Sequence, residues 1–197
     1  CIRDSKKHAV TDAPDQWGSF CRLGAVVFGR SIMYLGLNTF IVLYFMNHFH
    51  ESQNFSNLLL SVYYGIGALF TLIGGKLGDK HGYRTFVRFG FLLAFPAALI
   101  LAWTDSSILG ILCLIVLGAA LNLTYSPMVV LGQQYLPNRV GLASGITLGL
   151  AVSVGGITAP LLGKVGDMYG LETTFYVIAL ITLIPLISSF TLPKPKK

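Results

Sequence analysis

The sequence predicts an all-α membrane protein with six transmembrane helices arranged as a 3+3 inverted repeat. Three observations predict this fold class. Hydrophobic residues make up 54% of the 197 residues and charged residues only 11%, against roughly 25% charged residues in soluble domains. The apolar residues are grouped into six long stretches. A glycine-rich octet that closes such a stretch occurs twice.

Six segments reach or approach the roughly 20 apolar residues needed to cross a hydrocarbon core about 30 Å thick. In chain order they run from Leu23 to Met46, Asn57 to Gly78, Thr85 to Thr104, Ile108 to Leu131, Leu142 to Gly163 and Thr173 to Leu192. Arg30 interrupts the first segment, and the third is short because Arg88 and Asp105 bound its charge-free part. We therefore predict a transmembrane bundle at 22–192, a cytoplasmic linker at 1–21 and a basic cytoplasmic tail at 193–197.

Lys and Arg fall unevenly on the two sides of the predicted bundle. With the amino terminus inside, twelve of the fourteen basic residues lie in cytoplasmic segments, Lys164 lies outside and Arg30 lies within a span. Cytoplasmic loops of membrane proteins are enriched in Lys and Arg. We therefore predict a multi-pass protein of the plasma (inner) membrane with both termini in the cytoplasm. The net charge of +6 then indicates the lipid bilayer as the partner rather than nucleic acid.

The repeated octet reads G-K-L-G-D-K-H-G at residues 75–82 and G-K-V-G-D-M-Y-G at residues 163–170. By the predicted topology the two copies lie on opposite faces of the membrane. Two matching turns on opposite faces are what an inverted repeat of three helices requires. Chance recurrence of a glycine-aspartate pattern at helix ends is the alternative.

Residues 75–84 resemble the loop motif of the major facilitator superfamily, which has the form G-x-L-A/G-D-R/K-x-G-R/K-R/K. Tyr83 departs from the motif, because the family usually has a base there. The resemblance implies a cytoplasmic latch that breaks and re-forms as two halves rock against each other. It assigns gating roles to Gly75, Gly78, Asp79, Lys80, Gly82 and Arg84. A solvated loop that only fixes orientation is the alternative, and Lys80 and Arg84 are the cations available to Asp79.

Residues 125–145 resemble the fosmidomycin-resistance branch of the same superfamily, through the pattern Q-x-x-L-P-x-R-x-G-x-x-S-G that begins at Gln133. Together the two resemblances cover residues 22–192. They imply the carboxyl-terminal half of a twelve-helix transporter whose partner is an amino-terminal six-helix half. They also imply proton-coupled export of a small drug-like or anionic compound by alternating access.

Arg30 is the only charged residue well inside a predicted span, roughly 9 Å beyond its cytoplasmic end. Ionisable residues within the membrane mark functional sites by default, and a guanidinium can bind an anionic phosphonate bidentately. The alternative is that Arg30 extends to the cytoplasmic headgroups. Other candidates for the substrate cavity are polar residues of spans one and four, which can also simply hold helices together. They are Tyr34, Asn38, Asn122 and Tyr125.

The fifth span carries small residues at four-residue spacing and a Gly/Pro segment. Such rows let helices approach closely in lipid, and a proline within the span favours a bend. We expect helix packing or hinge roles rather than substrate contact. The residues concerned are Gly145, Gly149, Ser153, Gly155, Gly156 and Pro160.

The sequence offers less support for other classes of function. No acidic residue lies within a predicted span, so a proton carrier is expected in the other half. A membrane enzyme would need clustered catalytic or metal-binding residues, and patterns such as H-E-x-x-H are absent, so we expect no enzyme, no metal and no cofactor. A non-transporting or homodimerising six-helix membrane protein remains the alternative function.

Overall fold

The computed structural model describes residues 14–194, and all regular structure within that range is helical. The elements in chain order are α1 (Trp17–Asn47), α2 (Gln53–His81), α3 (Tyr83–Trp103), α4 (Ser107–Leu123), α5 (Tyr125–Tyr135), a 3₁₀ turn (Pro137–Arg139), α6 (Val140–Tyr169), α7 (Leu171–Ile181) and α8 (Leu183–Phe190). Residues 1–13 of the predicted linker and 195–197 of the predicted tail lie outside the described residues.

The described residues contain six helical spans that are long and apolar enough to cross a membrane. This confirms the predicted number of spans. Two of them are interrupted, because α4 with α5 forms the fourth span and α7 with α8 forms the sixth.

A proline accompanies both interruptions. A proline inside a helix lacks an N–H, and its ring clashes with the carbonyl four residues earlier. Counting back from Pro127 and Pro185 gives Leu123 and Ile181, and these residues end α4 and α7. Pro96 and Pro160 lie inside continuous helices, α3 and α6.

The first span begins six residues earlier than predicted, at Trp17 rather than Leu23. The last five residues of the predicted linker are therefore helical. The Phe20 side chain is buried, and its ring packs edge to face with Trp17. Arg139 in turn lies over the Trp17 ring at 5.5 Å. Aromatic packing therefore extends the helix beyond the apolar run.

The helix ends define two faces of the bundle. Both ends of the described chain meet at Tyr135, whose backbone oxygen accepts from Gln16 N at 2.7 Å and whose hydroxyl donates to Pro193 O at 2.7 Å. We call this end the terminal face. At the opposite end, the distal face, His48 at the end of α1 contacts Glu172 at the start of α7.

The two octets form matching turns on these opposite faces. Gly82 and Gly170 are the positive-φ glycines of the described chain, with φ of 92° and 88°. Each is the only residue between two helices, and its N–H donates to a glycine carbonyl of the preceding turn, Gly78 or Gly166. The first span of each half also packs on the second span of the other, α1 on α6 and α4 on α2. The fold is therefore the predicted inverted repeat.

The spans differ in how far they are covered by the rest of the bundle. In α1, 61% of the most apolar window is buried, against 22% in α2 and 17% in the span that contains α6. The central position of α1 places its side chains against most other helices, whereas α2 and α6 each present a long uncovered face.

Candidate functional site

A cavity of about 560 Å³ lies between α1, α2, α6 and the break between α4 and α5. We call it the central cavity. Four of the five residues predicted as cavity candidates line it, together with residues that the sequence did not single out. Its lining comprises Arg30, Ser31, Tyr34, Leu35, Thr71, Asn122, Tyr125, Ala151, Val152 and Gly156.

Arg30 is buried in this lining, with only 4% of its surface exposed. It lies thirteen residues from the start of α1, which at 1.5 Å per residue is roughly 20 Å along the helix. This distance to the helix start is longer than the roughly 9 Å predicted to the end of the apolar span, because α1 begins at Trp17 rather than at Leu23. The guanidinium carbon lies 5.2 Å from the Tyr34 ring centre and 4.8 Å from that of Tyr125. Both distances allow cation–π attraction.

The break between α4 and α5 supplies a hydrogen-bond acceptor to this cation. The last carbonyls of a helix have no partner within it, and Leu121 lies in the last turn of α4. Its oxygen accepts from Arg30 Nε at 3.0 Å and from Thr124 Oγ1 at 2.8 Å. The broken fourth span therefore fixes one edge of the guanidinium, while the rest of the group lies between two aromatic rings.

No carboxylate balances the charge of Arg30 in the described part of the chain. The ion pairs within residues 14–194 involve His48 and Arg139, both at the ends of the bundle. An unpaired buried charge is costly, and cation–π contacts with an arginine contribute about 2 kcal/mol when desolvated. The cavity therefore presents a positive site that an anion can complement.

Asn122 is positioned by close packing against α2. Its Nδ2 donates to the Gly118 oxygen at 2.8 Å. A methyl group on Gly67 of α2 would lie 2.6 Å from the same nitrogen, so only glycine leaves room for this amide. Asn122 thus lines the cavity with its side-chain nitrogen already engaged.

Asn38, the fifth candidate, does not line the central cavity. Its Oδ1 is buried without a hydrogen-bond partner among residues 14–194. The Tyr63 hydroxyl on α2 is also buried and unpartnered within that range, and the Tyr63 ring centre lies 6.4 Å from that of Tyr34. Tyr63 was not predicted from the sequence, yet its ring lies beside that of Tyr34, which lines the cavity.

The predicted gating residues lie together at the turn between α2 and α3 on the terminal face. Asp79 accepts a hydrogen bond from the Tyr83 hydroxyl, one turn later. Arg84 instead donates to the Leu192 oxygen at 3.1 Å. The described residues contain no ion pair between Asp79 and either Lys80 or Arg84. The tyrosine that departs from the family motif therefore takes the place of the expected cation.

Arginines cap the carboxyl-terminal end of α8 at the same face. Arg88 donates to the oxygens of Ser189 at 3.0 Å and Phe190 at 2.7 Å, and Arg22 donates to Thr191 O at 3.1 Å. Cations are favoured at the carboxyl end of a helix, where carbonyls lack partners. These contacts, with that of Arg84, anchor the sixth span to α1 and α3.

The small residues of α6 separate into an inward and an outward row. A methyl group on Gly155 would overlap Leu35 of α1, and one on Gly163 would lie 3.6 Å from Phe40. In contrast, apart from the adjacent residues and the backbone of α6 itself, nothing in residues 14–194 lies within 4 Å of a methyl group built on Gly145, Gly149 or Gly156. Ser153 and Pro160 are likewise exposed. Gly155 therefore packs within the described chain and Gly156 lines the central cavity, whereas the other predicted packing residues face outward.

Comparison with known proteins identifies the family of this chain. The sequence profile of the Major Facilitator Superfamily matches residues 23–197. The chain belongs to this superfamily. Among superfamily relatives, the chain is 32% identical to the uncharacterized MFS-type transporter YfnC of Bacillus subtilis (strain 168), over 82% of the chain and 39% of that protein. It is 30% identical to the fosmidomycin resistance protein of Escherichia coli (strain K12), over 84% of the chain and 40% of that protein.

Solved structures of the superfamily share the fold. The outward conformation of the transporter FucP matches 89% of this chain with a TM-score of 0.79 at 17% identity, over 42% of its own length. Both curated relatives are likewise covered over about two fifths of their length. The chain thus corresponds to one six-helix portion of longer superfamily proteins.

Proposed function

We propose that the protein is a secondary active transporter that moves a small anionic compound by alternating access, with Arg30 as the anion-binding group. The observation that carries the proposal is the buried Arg30 guanidinium in the central cavity, without a carboxylate partner in residues 14–194. A bound anion would neutralise this charge while the substrate crosses the membrane. Superfamily membership supplies the transport class.

The geometry of Arg30 favours an oxyanion over a neutral ligand. Nε is engaged by Leu121, which leaves the terminal nitrogens as donors. A guanidinium pairs with two oxygens of a carboxylate or phosphonate through parallel hydrogen bonds. The name of the Escherichia coli relative refers to resistance to fosmidomycin. We therefore propose drug-like anions of the phosphonate or carboxylate class as substrates, exported in exchange for protons.

The partner of this bundle is proposed to be an amino-terminal six-helix half of the same protein. The uncovered faces of α2 and α6 fit that role, because the outward row of Gly145, Gly149 and Ser153 would allow close helix approach in lipid. The chain also spans about two fifths of its curated relatives. A second copy of this bundle on the same face would correspond to the alternative homodimer.

The proposed orientation places the terminal face in the cytoplasm of a cell bounded by its plasma (inner) membrane. The arginines that cap α8 and the basic residues of the turn between α2 and α3 lie on this face. Lys and Arg are enriched in the cytoplasmic segments of membrane proteins. We propose that the turn at 75–84 acts there as a gate, with the Asp79–Tyr83 hydrogen bond as its closed contact.

Transport by the full-length protein in proteoliposomes tests the anion site. Replacing Arg30 by Gln removes the charge but retains a polar side chain, so the initial rate of fosmidomycin transport is expected to fall at least tenfold. Arg30→Lys keeps the charge without the planar pair of donors, so its initial transport rate is expected to lie between those of wild type and Arg30→Gln. Arg22→Lys on the same helix is the matched control, since Arg22 lies outside the cavity. Unchanged transport in Arg30→Gln would overturn the proposal.

A further inference from the structure

His48 lies on the distal face where the ends of three helices meet. It follows the last residue of α1, and its side chain is only 12% exposed. The loop after α3 and the first turn of α7 close around it. The central cavity does not include this residue.

Both ring nitrogens of His48 face hydrogen-bond acceptors. Nε2 lies 3.0 Å from the backbone oxygen of Thr104, and Nδ1 lies 2.9 Å from Oε1 of Glu172. A backbone carbonyl can only accept, so Nε2 must carry the hydrogen. In a neutral ring, Nδ1 would then direct its lone pair at an ionised carboxylate. The observed contact therefore requires one additional proton, either on Nδ1 or on Glu172.

The other groups around His48 favour a positive charge. Asp105 Oδ1 lies 3.7 Å from Nε2, and the ring stacks on Tyr44 at 4.9 Å and meets the edge of Phe49 at 4.7 Å. The residue also follows the carboxyl end of α1, where unpaired carbonyls favour cations. Further titratable groups on the neighbouring elements are His50, Glu51, which accepts from Ser107, and Tyr176.

We propose that His48 and Glu172 form a proton-binding site, with the proton on Nδ1 of His48, that holds the distal ends of α1, α3 and α7 together. When the shared proton leaves to water, Nε2 keeps its hydrogen bond to Thr104, whereas Nδ1 and the carboxylate become two facing acceptors. The contact between α1 and α7 is then lost, and the distal face is released. By linkage, the closed arrangement is favoured at low pH and weakened as the proton dissociates. The gating role rests on the proposed transport function, whereas proton binding does not.

Hydrogen exchange at the imidazole C2 position, followed by mass spectrometry of the full-length protein, measures the protonation of each histidine directly. Glu172→Gln is the informative variant. The Glu172 side chain is 64% exposed, and the amide of a glutamine at this position can donate to a neutral Nδ1 of His48. The fraction of His48 protonated at pH 6 is expected to fall at least threefold in this variant. His50 in the same loop is the internal control and is expected to be unchanged. Equal protonation of His48 in both proteins would overturn the proton site.

The pH dependence of transport tests the gating role separately. The ratio of transport rates at distal-side pH 6 and pH 8 is expected to approach 1 in Glu172→Gln, whereas wild type responds to this change. An unaltered ratio, combined with altered His48 protonation, would overturn the gating role. If the wild-type protein transports no anion, the proposed function fails, and the exchange measurement still decides the proton site.

Discussion

The turns at Gly82 and Gly170 share one backbone design but differ in their side chains. Each joins two helices through one positive-φ glycine whose N–H donates to a glycine carbonyl four residues earlier. At the first turn Asp79 accepts from Tyr83. At the second, the corresponding residues are Asp167 and Leu171, and leucine has no hydroxyl to donate. The repeat therefore preserves a geometry that only glycine adopts easily, while the chemistry around it has diverged.

The difference bears on the gate proposed for the terminal-face turn. In the proposed gate, the Asp79–Tyr83 hydrogen bond of the terminal-face turn is the contact that breaks and re-forms. At the distal-face turn, the residue after Leu171 is Glu172, and its Oε1 atom lies 2.9 Å from Nδ1 of His48. The two faces therefore surround matching backbone turns with different side-chain chemistry.

The largest expected effect tests the shared geometry. Gly82→Ala and Gly170→Ala should each lower the free energy of unfolding by about 1–3 kcal/mol, because residues other than glycine are strained at this φ and ψ. Apart from the adjacent residues, nothing in residues 14–194 lies within 4 Å of the added methyl at either site, so we assign the cost to the backbone. Thermal denaturation in detergent measures it, with Gly24→Ala in α1 as an open helical control. A stable Gly170→Ala protein would show that the turns are not equivalent.

The second prediction tests the proposed divergence in function. Asp79→Asn is expected to slow transport about tenfold, or ~1.4 kcal/mol, because the amide weakens the contact with Tyr83 and removes the charge. Asp167→Asn is expected to stay within twofold of wild type. Initial rates in proteoliposomes containing equal amounts of protein compare the two. Normal transport by Asp79→Asn would contradict the gating proposal.

The smallest expected effect concerns the packing beside each turn. A methyl on Gly78 would lie 2.6 Å from Cδ1 of Tyr83, whereas one on Gly166 would lie 3.1 Å from Oγ1 of Thr174. Overpacking costs about 1–3 kcal/mol, so Gly78→Ala should be about 1 kcal/mol less stable than Gly166→Ala. Thermal midpoints of the two variants check the order, and the reverse order would contradict it.

Much of the fold follows from the sequence, because spans and turns are set by local composition. Apolar length predicts six helices, and the octets predict the inverted repeat. The breaks within the fourth and sixth spans were missed, although Pro127 and Pro185 carried the signal. The two other prolines within spans do not break their helices, so proline alone does not identify a break.

The cavity was predictable in part, for reasons of helical geometry. Arg30 and Tyr34 are four residues apart and share a face of α1, so both reach the cavity. Asn38 is eight residues from Arg30, which rotates it by about 80° at 3.6 residues per turn, away from that face. Tyr63 could not be distinguished from Tyr64, yet the first is fully buried and the second 47% exposed. Which of two adjacent residues is buried depends on how the helix is rotated about its axis. The helices that pack against it determine that rotation.

Tyr135 holds Gln16 through its backbone oxygen and Pro193 through its hydroxyl, so the two ends of the described bundle lie side by side. An even number of spans also returns the chain to the face where it began. A tandem duplication of such a unit needs only a short connector, and both copies then insert with the same orientation. The position of Tyr135 thus makes this bundle suited to growth by gene duplication.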